Sequence, residues 1–168
     1  MVQIQAKQEL KVKRMFDNLY VAIHNVTGIQ KIKEYTQVLM GFGIKTVIIS
    51  KAVGSAAVSG VPQAQKMIFK EGKNLLYIED IPDITELLNP DEIYVVAPHP
   101  YAKHKFDPDS IVQKLKEKKK IVLIFGGSDP GLSKLELEYG IDTYLELPAD
   151  IGTIGTAAIM LYQIQQRL

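Results

Sequence analysis

The chain alternates between short apolar runs and longer stretches whose apolar positions fall three and four residues apart. The runs are Leu19–His24 (LYVAIH), Ile44–Ser50 (IKTVIIS), Asn74–Ile78 (NLLYI), Glu92–Ala97 (EIYVVA) and Ile121–Phe125 (IVLIF), with Thr143–Leu147 (TYLEL) a weaker sixth. Near-continuous runs rich in Val and Ile predict parallel strands buried on both faces. Between the first two, Ile29, Ile32, Tyr35, Val38, Leu39 and Phe42 keep helical spacing, and Gly41 and Gly43 stop the helix. Further helices are predicted over Gln63–Lys70 behind Pro62, Pro82–Leu88 ahead of Pro90, Pro108–Lys119 with Asp107 as its cap, and Ile154–Leu168. This alternation predicts an α/β fold, a mostly parallel sheet flanked by helices. No repeat, low-complexity tract or linker divides positions 1–168, so one domain is expected, with 1–17 as a basic arm or an extra helix or strand.

Composition narrows the function classes. With no cysteine, disulfides, cysteine catalysis and Cys-based zinc sites are excluded. A net charge of +1 gives no global attraction to nucleic acid or an anionic membrane, so any such contact needs a local basic patch. MVQIQAKQELKVKR has no apolar signal core, and no apolar run approaches the roughly 18 residues of a membrane span. A cytoplasmic protein without membrane association is the expectation.

Ligands of parallel α/β sheets bind beyond the carboxyl ends of the strands. That singles out the loops His24–Gly28, Ala97–Lys103, Gly126–Ser133 and Leu147–Gly155. In the third, Gly126-Gly127 lets a ligand approach the backbone, Ser128 and Asp129 can cap the turn, and Gly131 follows a proline bend. Ser133 with Glu136 three residues on reads as a capping box. There is no Gly-Lys-Ser/Thr and no GxGxxG, so this is neither a Walker loop nor a dinucleotide fingerprint. A plain strand-to-helix turn fits the loop equally well.

The order of motifs adds a resemblance. IVLIFGGSDPGLS resembles the second motif, and ELPADIGTIGTAAIMLYQ the third, of the SPOUT superfamily, the SpoU-like RNA methyltransferases; HNVTG before the first helix resembles the first. The resemblance implies a C-terminal trefoil knot, a homodimer and S-adenosylmethionine as cofactor. By position it assigns cofactor contacts to Ala97, Pro98, His99, Gly126, Gly127, Ser128, Gly131, Leu147, Ile151, Gly152, Thr153 and Ile154, with Leu147, Ile151 and Ile154 sandwiching the adenine. It implies an RNA substrate, tRNA or rRNA, methylated at a ribose 2′-hydroxyl, with no metal required. Such a hydroxyl must be aligned and relieved of its proton, a role given to Asn25, Lys31 and Lys33. The chain departs from the family pattern in three places. No arginine follows Asn25, where Gln30, Lys31 and Lys33 stand instead; Ser128 occupies the place of the second motif's glutamate; and the third motif lacks its Ser-Leu-Asn. Two alternatives stay open on this account, a non-catalytic RNA- or nucleotide-binding protein on the same fold, and an unknotted α/β enzyme binding a nucleotide at Gly126-Gly127.

Other residues have competing readings. His24 is either a substrate contact or a histidine satisfied by loop backbone. His99 and His104 want a third ligand for a metal, with only Asp107 or Asp109 nearby, so a rigid pocket loop offering Tyr101, Lys103 and Lys105 to bases and phosphates is preferred. KLKEKKK, Lys114–Lys120, reads as a solvated helix end before it reads as a nucleic-acid patch. Lys7–Arg14 could guide RNA or solvate an arm, and Ser50–Gly60 reads as a small-residue loop.

Overall fold

The computed structural model describes residues 13–129 and 131–168. Most of the proposed arm, including Lys7 and Lys11, therefore lies outside the described residues. Seven strands form one sheet: β1 (Leu19–Val26), β2 (Thr46–Ala52), β3 (Asn74–Ile78), β4 (Glu92–Val96), β5 (His104–Lys105), β6 (Ile121–Gly126) and β7 (Ile141–Tyr144). Their order is β3-β2-β1-β6-β4-β7-β5, and every pairing is parallel. Six helices connect them: α1 (Ile29–Gly41), α2 (Val61–Lys70), α3 (Pro82–Leu88), α4 (Pro108–Lys116), α5 (Lys134–Leu137) and α6 (Gly152–Gln165).

The central strands β1 and β6 show why continuous apolar runs were required. Leu19, Val21 and Ile23 point into the larger core cluster with Leu123 and Phe125, while Ala22, Val122 and Ile124 join the second cluster on the opposite face. Alternate side chains meet different layers, so both parities must be apolar. The larger cluster is closed by α1, α2, α4 and α6, and the smaller by α3 and α5. The Asp107 side chain accepts from Ser110 N, and Ser133 and Glu136 form the expected capping box.

Several boundaries move. Ser50–Gly60 is not a loop: β2 runs to Ala52, and Ala56–Gly60 form a π-helical turn leading into α2. Small residues allow it to press on α1; a β-carbon on Gly60 would lie 3.0 Å from Ile32 Cδ1. Helix α4 stops at Lys116 because Lys118 adopts a positive φ of 69°. Strand β7 starts at Ile141, paired with Tyr94, and ends at Tyr144, after which Leu145 and Leu147 turn to the cleft described next. Strand β5 escapes sequence reading because His104 and Lys105 are exposed and polar. Its alignment is held by Asp142, which accepts from Lys103 N at 2.6 Å and lies 3.0 Å from His104 Nδ1.

Candidate functional site

A cleft of about 570 Å³ opens beyond the carboxyl ends of β4, β6 and β7. This is the size of a small-ligand site, at the place where parallel sheets put one. Ten of the twelve expected positions line it: Ala97, Pro98, His99, Gly126, Ser128, Gly131, Leu147, Ile151, Gly152 and Thr153. Phe125, Leu132, Leu145 and Pro148 extend the apolar wall, and Lys31, Lys134, Asp129 and Asp150 give it charges of both signs. Tyr101 is at its edge, and His99 leans on Tyr144 with ring centres 5.0 Å apart.

Two expected positions are elsewhere. Gly127 lies behind the wall, its N–H donating to His24 O at 2.7 Å. A β-carbon there would sit 2.7 Å from Val26 Cβ and 3.1 Å from the carbonyl oxygens of His24 and Asn25, so only glycine lets the loop lie this close to β1. Ile154 packs inward on the larger core instead of against a ligand. Of the three residues given a proton-handling role, Lys31 reaches the cleft from α1, whereas Asn25 and Lys33 are not among its lining residues. Asn25 contributes backbone: it is held at φ 59°, and its carbonyl accepts from Ser128 Oγ. Lys103 and Lys105 also stand outside the cleft, the latter paired with Glu146.

Thr153 Oγ1 donates to Gly126 O, tying the start of α6 to the glycine loop. On the other side, His24 is 1% exposed at the end of β1, with Nδ1 2.9 Å from Ser50 Oγ. Its Nε2 lies 2.5 Å from Glu136 Oε2, without the alignment of a hydrogen bond, and 4.0 Å from Asp80 Oδ1. Burial lowers the His24 pKa below its ordinary 6.5, against the pull of Glu136 and Asp80 and with a smaller push from Lys51. Burial pushes Glu136 up, but the bonds donated by Ser133 and the electrostatic pull of the adjacent His24 outweigh it and hold its pKa below the ordinary value. Sequence reading placed His24 at the mouth of the sheet; the partnership with Glu136, 112 positions away, carried no signal in the sequence. Among the described residues no three His, Asp or Glu side chains converge as a metal-binding group, and no helix is long and apolar enough to cross a membrane.

Residues 54–163 match the family model described as RecB-family nuclease (DUF2122). The chain belongs to that family. It is 31% identical over 150 residues to "Putative type II restriction enzyme MjaORF1200P" of Methanocaldococcus jannaschii, covering 89% of this chain and 98% of the relative. It is also 30% identical over 141 residues to "Putative type II restriction enzyme ApeKORF2002P" of Aeropyrum pernix, covering 83% and 88%. Among solved structures it is similar to a "putative methylase family protein" from Neisseria gonorrhoeae, with a TM-score of 0.69, 13% identity and coverage of 90% of this chain and 83% of that one. The SpoU methyltransferase AviRb from Streptomyces viridochromogenes gives 0.66, 12%, 93% and 62%. These likenesses show that this chain has the α/β fold of the SPOUT methyltransferases.

Family membership corrects the functional expectation. A ribose 2′-O-methylating, S-adenosylmethionine-dependent RNA methyltransferase is overturned, since the family model and both sequence relatives carry the names of nucleases. The non-catalytic alternative fares no better, because all these are names of enzymes. The expectation rested on motif order, and that order reports how loops follow strands. A fold signal does not specify the reaction carried on the fold.

Proposed function

We propose that this protein is an enzyme directed at nucleic acid, whose cleft binds a nucleoside ligand of the S-adenosylmethionine class. The observation that carries the reading is the meeting of three loops, distant in sequence, on one cleft of about 570 Å³. Leu147 and Ile151 offer apolar surface for a flat base, and the small residues Ala97, Gly126 and Gly131 let it approach the backbone. Lys31 and Lys134, with Asp129 and Asp150, offer both charges needed by a zwitterionic amino-acid tail. Nucleic acid is the substrate class of restriction enzymes, for which the sequence relatives are named, and stands in the names of two further fold neighbours, a "putative RNA methyltransferase" from Bacillus anthracis and an "rRNA methyltransferase" from Sinorhizobium meliloti.

The test is calorimetric titration with S-adenosylmethionine and S-adenosylhomocysteine, on the wild type and on Ile151→Asp. Binding is expected in the wild type and weakened at least about ten-fold in the variant, in which a charge faces the base. No binding to folded wild-type protein refutes the reading. Incubation with labelled DNA and RNA, with and without magnesium, separately reads the reaction for which the relatives are named. A homodimer belongs to the same proposal: Ile159 and Tyr162 leave an exposed apolar stripe along α6, and light scattering behind size exclusion should report twice the chain mass.

A further inference from the structure

Three joints connect the tip of β1 to the segment that builds one wall of the cleft. His24 O receives Gly127 N–H at 2.7 Å, and Asn25 O receives Ser128 Oγ. The third joint is made by side chains. The His24 ring, in register with Ser50 on β2 and touching its Oγ at 2.9 Å, meets Glu136 Oε2 at 2.5 Å. The other oxygen of Glu136 accepts from Ser133 N at 3.0 Å and so closes the capping box of α5. Between the first joint and the last stand Ser128, Asp129, Gly131, Leu132 and Lys134, all of which line the cleft. His24 is not one of the lining residues, so it acts on the wall from behind.

We propose that His24 is a positioning residue whose charge state sets the placement of the glycine wall, so that the ligand affinity of the cleft depends on proton uptake at a buried group outside it. This rests on the ligand reading given above. The groups facing the ring are Glu136 from α5, Asp80 from the turn before α3, Ser50 from β2 and, more distantly, Lys51. A neutral ring has one donor and one acceptor nitrogen. With Ser50 O–H donating to Nδ1, the Nε2–H faces the Glu136 carboxylate. Proton uptake turns Nδ1 into a donor, forces the buried Ser50 hydroxyl to rotate, and leaves a cation in a site sealed from water. Burial disfavours that cation and the Glu136 carboxylate beside it favours it, so the charge acts directly on the residue that closes the cap of α5 and ends the wall.

The experiment is a pH titration by NMR of the full chain without ligand, following the His24 ring and the amides of Gly127, Ser128 and Gly131. In the wild type the ring and the amides move with one midpoint, below about 6.5. In Glu136→Gln the ring still titrates and the amides no longer follow it. Ser50→Ala shifts the ring midpoint, and the amide midpoint shifts with it; this variant serves even if substitutions at His24 fail to fold. Amides that stay still while the wild-type ring titrates overturn the proposal. Calorimetry then reads the consequence: S-adenosylhomocysteine binds several-fold more weakly below the ring midpoint found by NMR than above it in the wild type, and equally on both sides in Glu136→Gln. If no ligand binds at either pH, the ligand reading fails while the amide titration still decides the coupling.

Discussion

Gly127→Ala adds one methyl group at the closest approach between the glycine loop and β1. Its carbon would lie 2.7 Å from Val26 Cβ, roughly 0.8 Å inside the ~3.5 Å at which carbon atoms rest. It would also meet the carbonyl oxygens of His24 and Asn25 at 3.1 Å each. Those atoms belong to a strand buried in the middle of the sheet, so the loop must move and the strand will not. Overpacking of this kind costs about 1–3 kcal/mol. At roughly 3 °C per kcal/mol for a domain of this size, the thermal midpoint should fall by about 3–9 °C. The movement also stretches the 2.7 Å bond from Gly127 N to His24 O and displaces Ser128 in the cleft wall. Affinity for S-adenosylhomocysteine should therefore fall about ten-fold, or about 1.4 kcal/mol. Scanning calorimetry and titration calorimetry read the two effects. Gly41→Ala is the control, since nothing lies within 4 Å of its added carbon, and it should leave both values unchanged or stabilise slightly. A Gly127→Ala protein that melts within about 1 °C of wild type and binds equally well would refute the claim that this contact sets the wall.

Gly140→Ala should be harsher, because its β-carbon would sit 2.3 Å from Ile93 O, a backbone atom of β4 itself, a strand fixed by pairing on both sides; little soluble protein, or a loss above about 3 kcal/mol in urea unfolding, is expected. Thr153→Val keeps the shape but removes the hydroxyl that donates to Gly126 O, so it should cost about 1 kcal/mol in unfolding and weaken ligand binding at the same loop. Burial pushes the Asp142 carboxyl up, but bonds from Lys103 and His104 outweigh it and hold its pKa below the ordinary 3.8. Its stabilisation is therefore complete above about pH 3.8 and is lost as pH falls through the lower folded value; in Asp142→Asn the thermal midpoint should vary less across that acid range.

The strands and most helices were legible in the sequence because local physics decides them. Ile121–Phe125 can only be a strand with both faces covered, since each parity of its side chains is apolar. Asp107, Ser133 and Glu136 announced their helix starts because a cap and its N–H partners are at most three residues apart. The cleft was legible too, since glycine and small residues after strands mark where backbone must be approached closely. What misled was the step from that pattern to a reaction, because loop order is a property of the fold, whereas the family and the sequence relatives carry the names of nucleases.

Tertiary structure alone decided the rest. Gly127 and Ile154 look like their cleft-lining neighbours in sequence, yet one is pressed against β1 and the other turned into the core, because facing depends on which element lies behind. Strand β5 is set by its pairing with β7 and by Asp142, which receives Lys103 N–H across the sheet edge. His24, Ser50 and Glu136 come from two strands and a short helix, and no spacing rule connects them. The sequence by itself determined the α/β order, the caps and the loops that could meet a ligand. Which side chains face the cleft and which hold its wall from behind was set by long-range packing, where burial and partnership arise between residues that have no local relation.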